Sequence, residues 1–243
     1  MPRSLLLTLV LSATVAVAAP AQARFSVSYP ATAGAGPITG RVLVFVSRDP
    51  SPEPRFLSHP FGRGTPFFGK DVSAWKPGAP AVIDAAALGY PVASVRDLPA
   101  GDYYVQALVT VYSQVHRADG HTIWVHWDQW EGQQVTTSPG NLYSAVQKVH
   151  LDPATESDVA LSLTEVIPPV QVPPDTRWVK HVKIQSPLLT RFWGRPVYLG
   201  ATVLLPKGYE QHPAARYPVV FEQDTSGSSR HSDSRRTRPP CHR

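Results

Sequence analysis

The sequence predicts a mainly β protein, and three observations carry that expectation. Proline is abundant, at 26 of 243 residues, and it accompanies Val-rich and aromatic-rich runs. β-branched and aromatic side chains suit a pleated, half-buried surface, whereas proline interrupts helices. The run GDYYVQALVTVYSQVHRADGHTIWVHWDQW, from Gly101 to Trp130, holds two extended arms around the turn signal Ala118-Asp119-Gly120. Further short strand candidates bounded by turn residues recur on both sides of it. An apolar fraction of 42% is enough for a real core, and 17% charged residues is on the low side for a soluble chain.

The elements follow in order. Residues 1–23 read as a secretory leader: Arg3 supplies the positive start, residues 5–19 the apolar stretch, and Ala21, Gln22 and Ala23 the small-residue cleavage site. The apolar run is shorter than the roughly 20 residues that a membrane span requires. The expectation is a chain cleaved before Arg24, exported to a periplasm or outside the cell, with no stable membrane span left. Residues 24–166 read as one β domain. GRVLVFVSRD (40–49) is an apolar strand leading into a polar turn, 61–84 a long aromatic loop, and 82–89 a short helical turn.

In the next strand Tyr103, Val105, Ala107, Val109 and Val111 share one face. Tyr104, Gln106, Leu108, Thr110 and Tyr112 share the other. Past the turn, Ile123, Val125 and Trp127 alternate with Trp124, His126 and Asp128. Residues 148–166 add two short strands around a proline-containing loop. Several short strands, with LPAG turning the chain into one that crosses the core, predict an immunoglobulin-like β-sandwich or a relative of it.

IPPVQVPPD (167–175) carries four prolines in nine residues, so 167–176 is expected to be a stiff extended linker. Residues 177–223 then offer three strand candidates, at 178–185, 197–205 and 217–221. YLGATVLLPKGY (198–209), EQHPAAR (210–216) and YPVVFEQ (217–223) resemble, in order and spacing, the start of an α/β-hydrolase domain of the enterochelin-esterase-like and feruloyl-esterase-like type. PFFGKDVSAWKPG, LPAGDYYVQALVTVY, HRADGHTIWVHWDQWEGQ and SPGNLYSAVQKVHLDP are similar to the leading domain of exported bacterial proteins of that two-part kind. The resemblance spans 41–223.

It implies carboxylic ester hydrolysis by a Ser nucleophile, a His base and an orienting acid, with no cofactor. Those residues follow the Tyr-Pro-Val strand in the family, and nothing in this chain matches them. TSGSSR (225–230) lacks the second glycine of G-x-S-x-G and the apolar strand before it. The expected reading is therefore an incomplete hydrolase domain, truncated before its catalytic residues and itself inactive.

Residues 224–243 contain no Val, Ile, Leu, Met, Phe, Trp, Tyr or Ala, so they cannot bury apolar surface and are expected to be disordered. Two accounts stay open, a natural basic tail for surface attachment and a coding frame lost after Gln223. The break falls just after a buried-strand pattern, which favours the second. The tail's five Arg and two Asp supply most of the net charge of +5, while 24–223 holds 17 basic and 16 acidic residues. A near-neutral body excludes a nucleic-acid footprint. Cys241 is the only cysteine, so the body has no disulfide, thiolate nucleophile or Cys-based zinc site.

Three side-chain groups are candidates for chemistry. His116 and His121 flank the 118–120 turn and could face each other as metal ligands, near Asp119, His126 and Asp128; His121 and His126 point to opposite faces. Structural or exposed histidines are the simpler account. Trp124, Trp127, Trp130 and Tyr112 form the kind of aromatic set that stacks on sugars, so carbohydrate binding by a stand-alone module is the alternative function; the simpler account is core and rim packing. Ser113, His116 and Asp119 make a triad on paper, without an elbow or oxyanion loop to support it.

Overall fold

The computed structural model describes residues 23–58, 64–127, 129, 134–153, 155 and 157–222. Of these, 44% lie in strands and 9% in helical turns, so the protein is mainly β with curled sheets. Residues 1–22 of the expected 1–23 leader, Gln223 and the expected tail 224–243 fall outside the described residues.

The first strands are β1 (Ala23–Ser28), β2 (Ile38–Ser47), β3 (Phe67–Trp75), β4 (Ala81–Ile83), β5 (Leu88–Tyr90) and β6 (Gly101–Val111). There follow β7 (Ser113–His116), β8 (Thr122–Val125), β9 (Leu142–Ser144), β10 (Gln147–Leu151) and β11 (Ser157–Val166). Nine of these form one sheet in the order β4-β1-β11-β9-β6-β2-β3-β5, with β10 also paired to β6. All pairings are antiparallel except β1 with β11. The long strand β11 pairs with β1 through Ser162 and with β9 from Leu163, and the register shifts there. The sheet curls enough for Lys70 of β3 to donate to the Val82 carbonyl of β4 at 3.3 Å.

β6 is the axis of the fold. It pairs with β2 along eight residues, from Gly40↔Val111 to Ser47↔Tyr104, and its other edge takes β10 first and β9 second. Tyr103, Val105, Ala107 and Val109 enter the main core with Val42, Val44 and Val46 of β2 and Phe25, Val27, Phe68, Ile83 and Leu161 from neighbouring strands. This is the face that period-two alternation assigns to the core. At the β2 edge, Gly40 lies so close to β6 that a Cβ there would collide with the Thr110 carbonyl. Any other residue would force the two strands apart.

Gln106, Leu108 and Thr110, on the opposite face, are buried as well. A second, smaller cluster of Leu43, Phe45, Leu108 and Ile167 lies there, with Phe67, Val135 and Tyr143 packed against it. A 3-10 turn at Pro54–Phe56 is fastened over this face. Arg55 Nε reaches Glu53 at 2.9 Å and Arg55 Nη1 the Thr136 carbonyl at 2.8 Å. Its guanidinium stacks 4.0 Å over Tyr143. Gln106 Nε2 donates to Glu53 at 2.7 Å and to the Ser144 carbonyl at 3.0 Å. A buried charge persists where it is paired and hydrogen-bonded, as Arg55 is here.

Residues 167–176 contain no helix or strand. After them come β12 (Val179–Gln185), α1 (Pro187–Trp193) and β13 (Tyr198–Leu204). β12 and β13 form a two-stranded antiparallel sheet from Val179↔Leu204 to Gln185↔Tyr198. Ser186 caps α1 by accepting from the Leu189 N–H at 3.3 Å, Pro187 opens it, and Gly194 closes it at φ +64. Each residue has the capping role its chemistry favours. Every residue of β13 is exposed. Val220 and Phe221 are 90% and 92% exposed.

Four expectations are corrected. The aromatic stretch expected as a loop over 61–84 supplies β3, a nine-residue strand on β2; residues 61–63 lie outside the described residues. The expected helical turn at 82–89 is instead the end of β4, a turn and the start of β5. Residues 217–221 do not form a strand and belong to none of the sheets among the described residues. Helix α1 was not expected at all.

Candidate functional site

The chemistry-bearing candidates converge on the β7–β8 hairpin. Its register is Ser113↔Val125, Gln114↔Trp124, Val115↔Ile123 and His116↔Thr122. The turn closes with Arg117 N–H donating to the His121 carbonyl at 2.8 Å, and Gly120 takes φ +86. A left-handed residue at that point is what the Asp-Gly signal provides.

Directly paired residues share a face, so Gln114, His116, Thr122 and Trp124 lie on one side and Ser113, Val115, Ile123 and Val125 on the other. The structure therefore does not pair His116 with His121. His116 Nδ1 lies 2.8 Å from Thr122 Oγ1, while His121 Nδ1 lies 3.2 Å from Asp119 Oδ1. Asp119 also engages Arg117. Among the described residues no group of three His, Cys, Asp or Glu side chains is placed to hold a metal ion. Ser113 and His116, three apart on one strand, point to opposite faces, so the paper triad with Asp119 does not assemble.

The aromatic candidates separate too. Trp124 stands on the outer face of the hairpin, 50% exposed. Tyr112 is half-buried; burial, with the nearby Asp71 charge, raises the pKa of its phenol against the opposing effect of Arg41. Trp130 and Asp128 lie outside the described residues. Trp127 is covered by the second part of the chain. Trp193 meets its ring edge-on with centroids 5.8 Å apart, and the Arg195 guanidinium lies 4.0 Å from its ring centre. Arg117 stands 4.9 Å from the Phe192 ring, and Ala118 N–H donates to the Phe192 carbonyl at 2.8 Å.

A small cleft of about 180 Å³ opens beside the hairpin, lined by Val111, Ser113, His126, Trp127, Pro139 and Asn141 among others. Much of its polar lining is engaged in holding the fold. Asn141 accepts from Val111 N–H at 2.9 Å and donates to the Val135 carbonyl at 2.8 Å. His126 Nε2 lies 2.6 Å from the fully buried Ser138 Oγ. A Ser–His contact is the first requirement of nucleophilic catalysis, and a substrate must also reach the Ser. Ser138 is closed off, and the nearby N–H groups of Gly140 and Asn141 donate to the carbonyls of Ile167 and Ser138. No oxyanion could use them.

The residues that sequence reasoning missed are Arg117, Phe192, Trp193 and Arg195. The signal for the last three is Phe-Trp-Gly-Arg at 192–195, five residues past Pro187 of the Ser-Pro helix start. Among the described residues no helix is long and apolar enough to cross a membrane. No protein-family model, no curated protein and no solved structure matches this chain.

Proposed function

We propose that this chain is the non-catalytic leading part of an exported esterase-like α/β-hydrolase, a β domain followed by the opening elements of the hydrolase domain. The observation that carries the reading is the apolar surface of residues 179–221. Ile184, Leu199 and Leu204 on the hairpin and Val219, Val220 and Phe221 beyond it are all exposed. Isolated exposed apolar residues are ordinary, but a two-stranded sheet exposing them on both faces, Ile184 beside Leu199 on one and Leu204 on the other, followed by an exposed Val-Val-Phe run, marks a unit made to be covered. The remaining sheet of a hydrolase domain is the cover that the resemblance of 198–223 implies, with Tyr217-Pro218-Val219-Val220-Phe221 as its first buried strand.

The same proposal takes the β domain as an immunoglobulin-like sandwich. The handover of β11 from β1 to β9 divides the strands into a β4-β1-β11 layer and a β9-β6-β2-β3 layer around the main core. It also takes 1–23 as a leader cleaved on export.

Two measurements test the reading. The nucleotide sequence after the Gln223 codon should encode, in one of its frames, G-x-S-x-G and a downstream His; their absence from all three frames ends it. Purified chain should not hydrolyse a p-nitrophenyl ester, and turnover would show that a catalytic set is already present.

A further inference from the structure

We propose that the β7–β8 hairpin with Trp127 is a docking surface whose occupant is the Phe192–Arg195 end of α1. The β domain thereby holds the second unit in place. This inference rests on contact geometry and stands whether or not the hydrolase reading does.

Five contacts of different kinds meet there. Ala118 N–H donates to the Phe192 carbonyl at 2.8 Å, a backbone bond between segments that share no sheet. The Arg117 guanidinium faces the rings of Phe192 and Trp193 at 4.9 and 5.9 Å. Trp193 packs edge-on against Trp127 at 5.8 Å, the arrangement that the aromatic quadrupole favours. Arg195 covers Trp127 at 4.0 Å, so each part of the chain places an arginine on the other's aromatic rings. Gly194 then sits against the hairpin backbone, where a Cβ would lie 2.6 Å from the His116 carbonyl oxygen. At φ +64 it also ends the helix, so one missing side chain serves both the cap and the close approach.

The second unit needs such a contact. A seven-residue helix is far below the length at which helices persist alone, and a lone two-stranded sheet is marginal in water. None of the residues of α1 is buried, and its own hairpin holds it through hydrogen bonds at Thr190, from Val197 N–H at 3.1 Å and Gln185 Nε2 at 3.3 Å, with no apolar core beneath it. The proline-rich segment 167–176 tethers the pair at high effective concentration, so contacts too weak to join separate chains can still be occupied. Trp127 is thereby assigned to this contact and not to a free stacking surface for sugars.

Amide hydrogen exchange on the full chain tests the proposal, comparing the wild type with Gly194→Ala and Trp193→Ala. Ala118 N–H should be protected in the wild type and lose at least about tenfold of that protection in both variants, as expected for a local opening. Two amides serve as internal references. Arg117 N–H bonds within the hairpin to His121, and Ala107 N–H bonds in the core to Ser144 Oγ at 2.9 Å. Both should keep their wild-type rates. A third variant, Leu188→Ala, changes an exposed position of the same helix and should leave Ala118 protected. The proposal is overturned if Ala118 exchanges freely in the wild type, or if its protection is the same in all chains. Loss at Ala107 together with Ala118 in both variants also overturns it, because the β domain would then not be the independent partner.

Discussion

The β domain and the hairpin unit are written in similar amino acids and reach opposite ends. β6 and β13 both carry Val, Leu, Ala and Tyr, yet Val105, Ala107, Leu108 and Val109 are fully buried while every residue of β13 is exposed. β6 has β2 on one edge and β9 and β10 on the other, with Phe25, Ile83 and Leu161 across the core and the 53–58 turn over its outer face. β13 has β12 alone. The difference teaches that an apolar pattern is a demand for a second layer, and only long-range contacts meet it. In the hairpin unit the demand is met at one corner, where Phe192, Trp193 and Arg195 reach the β7–β8 hairpin.

The largest expected effect comes from the buried side. Phe25→Ala should destabilise the β domain by about 3–5 kcal/mol in chemical denaturation, through lost burial and the cavity left behind. Leu204→Ala, at a residue 77% exposed, should change stability by no more than about 0.5 kcal/mol. Replacing Val220 and Phe221 with Asp should leave the unfolding midpoint unchanged and reduce aggregation, read by light scattering, because it breaks an exposed apolar run. A Leu204→Ala cost approaching that of Phe25→Ala would erase the contrast and show that the hairpin face is covered in solution.

The next effect concerns charges. Arg55→Ala should cost about 2–3 kcal/mol, because it empties the space of a buried guanidinium stacked on Tyr143 and leaves the Thr136 carbonyl without its donor. Arg177→Ala removes an exposed 3.6 Å pair with Glu210 and should cost under about 0.5 kcal/mol. Equal costs, compared by urea denaturation, would mean that the Arg55 network contributes no more than a solvated pair.

Legibility in the sequence divides along the same line. The alternation of β6 and the β7–β8 hairpin were readable, because a strict period of two and an Ala-Asp-Gly turn are local signals. β3 was not: Phe-Phe-Gly-Lys-Asp-Val-Ser-Ala-Trp buries few side chains beyond Phe68 and Trp75, so its pairing with β2 leaves little alternation to see. Helix α1 has capping residues in Ser186, Pro187 and Gly194, but seven residues are too few to show a helical period between two strands. Trp127 was readable as a residue of interest, and its actual neighbours were not. Arg195 and Trp193 lie more than sixty residues away, and only the fold brings them to it. His116 and His121 flank the turn in sequence, yet strand pairing sets His116 opposite Thr122. Register between strands, not spacing along the chain, decided that geometry.

The smallest expected effect is a pH dependence confined to the buried side of the comparison. Burial works to raise the pKa of the Glu53 carboxyl, but hydrogen bonds from Gln106 and Arg55 and the Arg55 charge together outweigh it and hold the carboxyl below its ordinary range. A carboxyl whose folded pKa is depressed stabilises the fold fully above its unfolded pKa of about 4.3. That contribution is lost as pH falls through the lower, folded value. The Glu53 side chain is 42% exposed, so solvent screening should keep the contribution below about 1 kcal/mol. Other carboxylates titrate over the same range, so the readable quantity is a difference. Thermal midpoints of wild type and Glu53→Gln should converge as pH is lowered from 6 to 3, with the wild type ahead only at the higher end. A gap that stays constant with pH would assign Glu53's role to the shape of its side chain and its neutral hydrogen bonds. The Arg55 network would then hold the turn over β6 without help from the carboxylate charge.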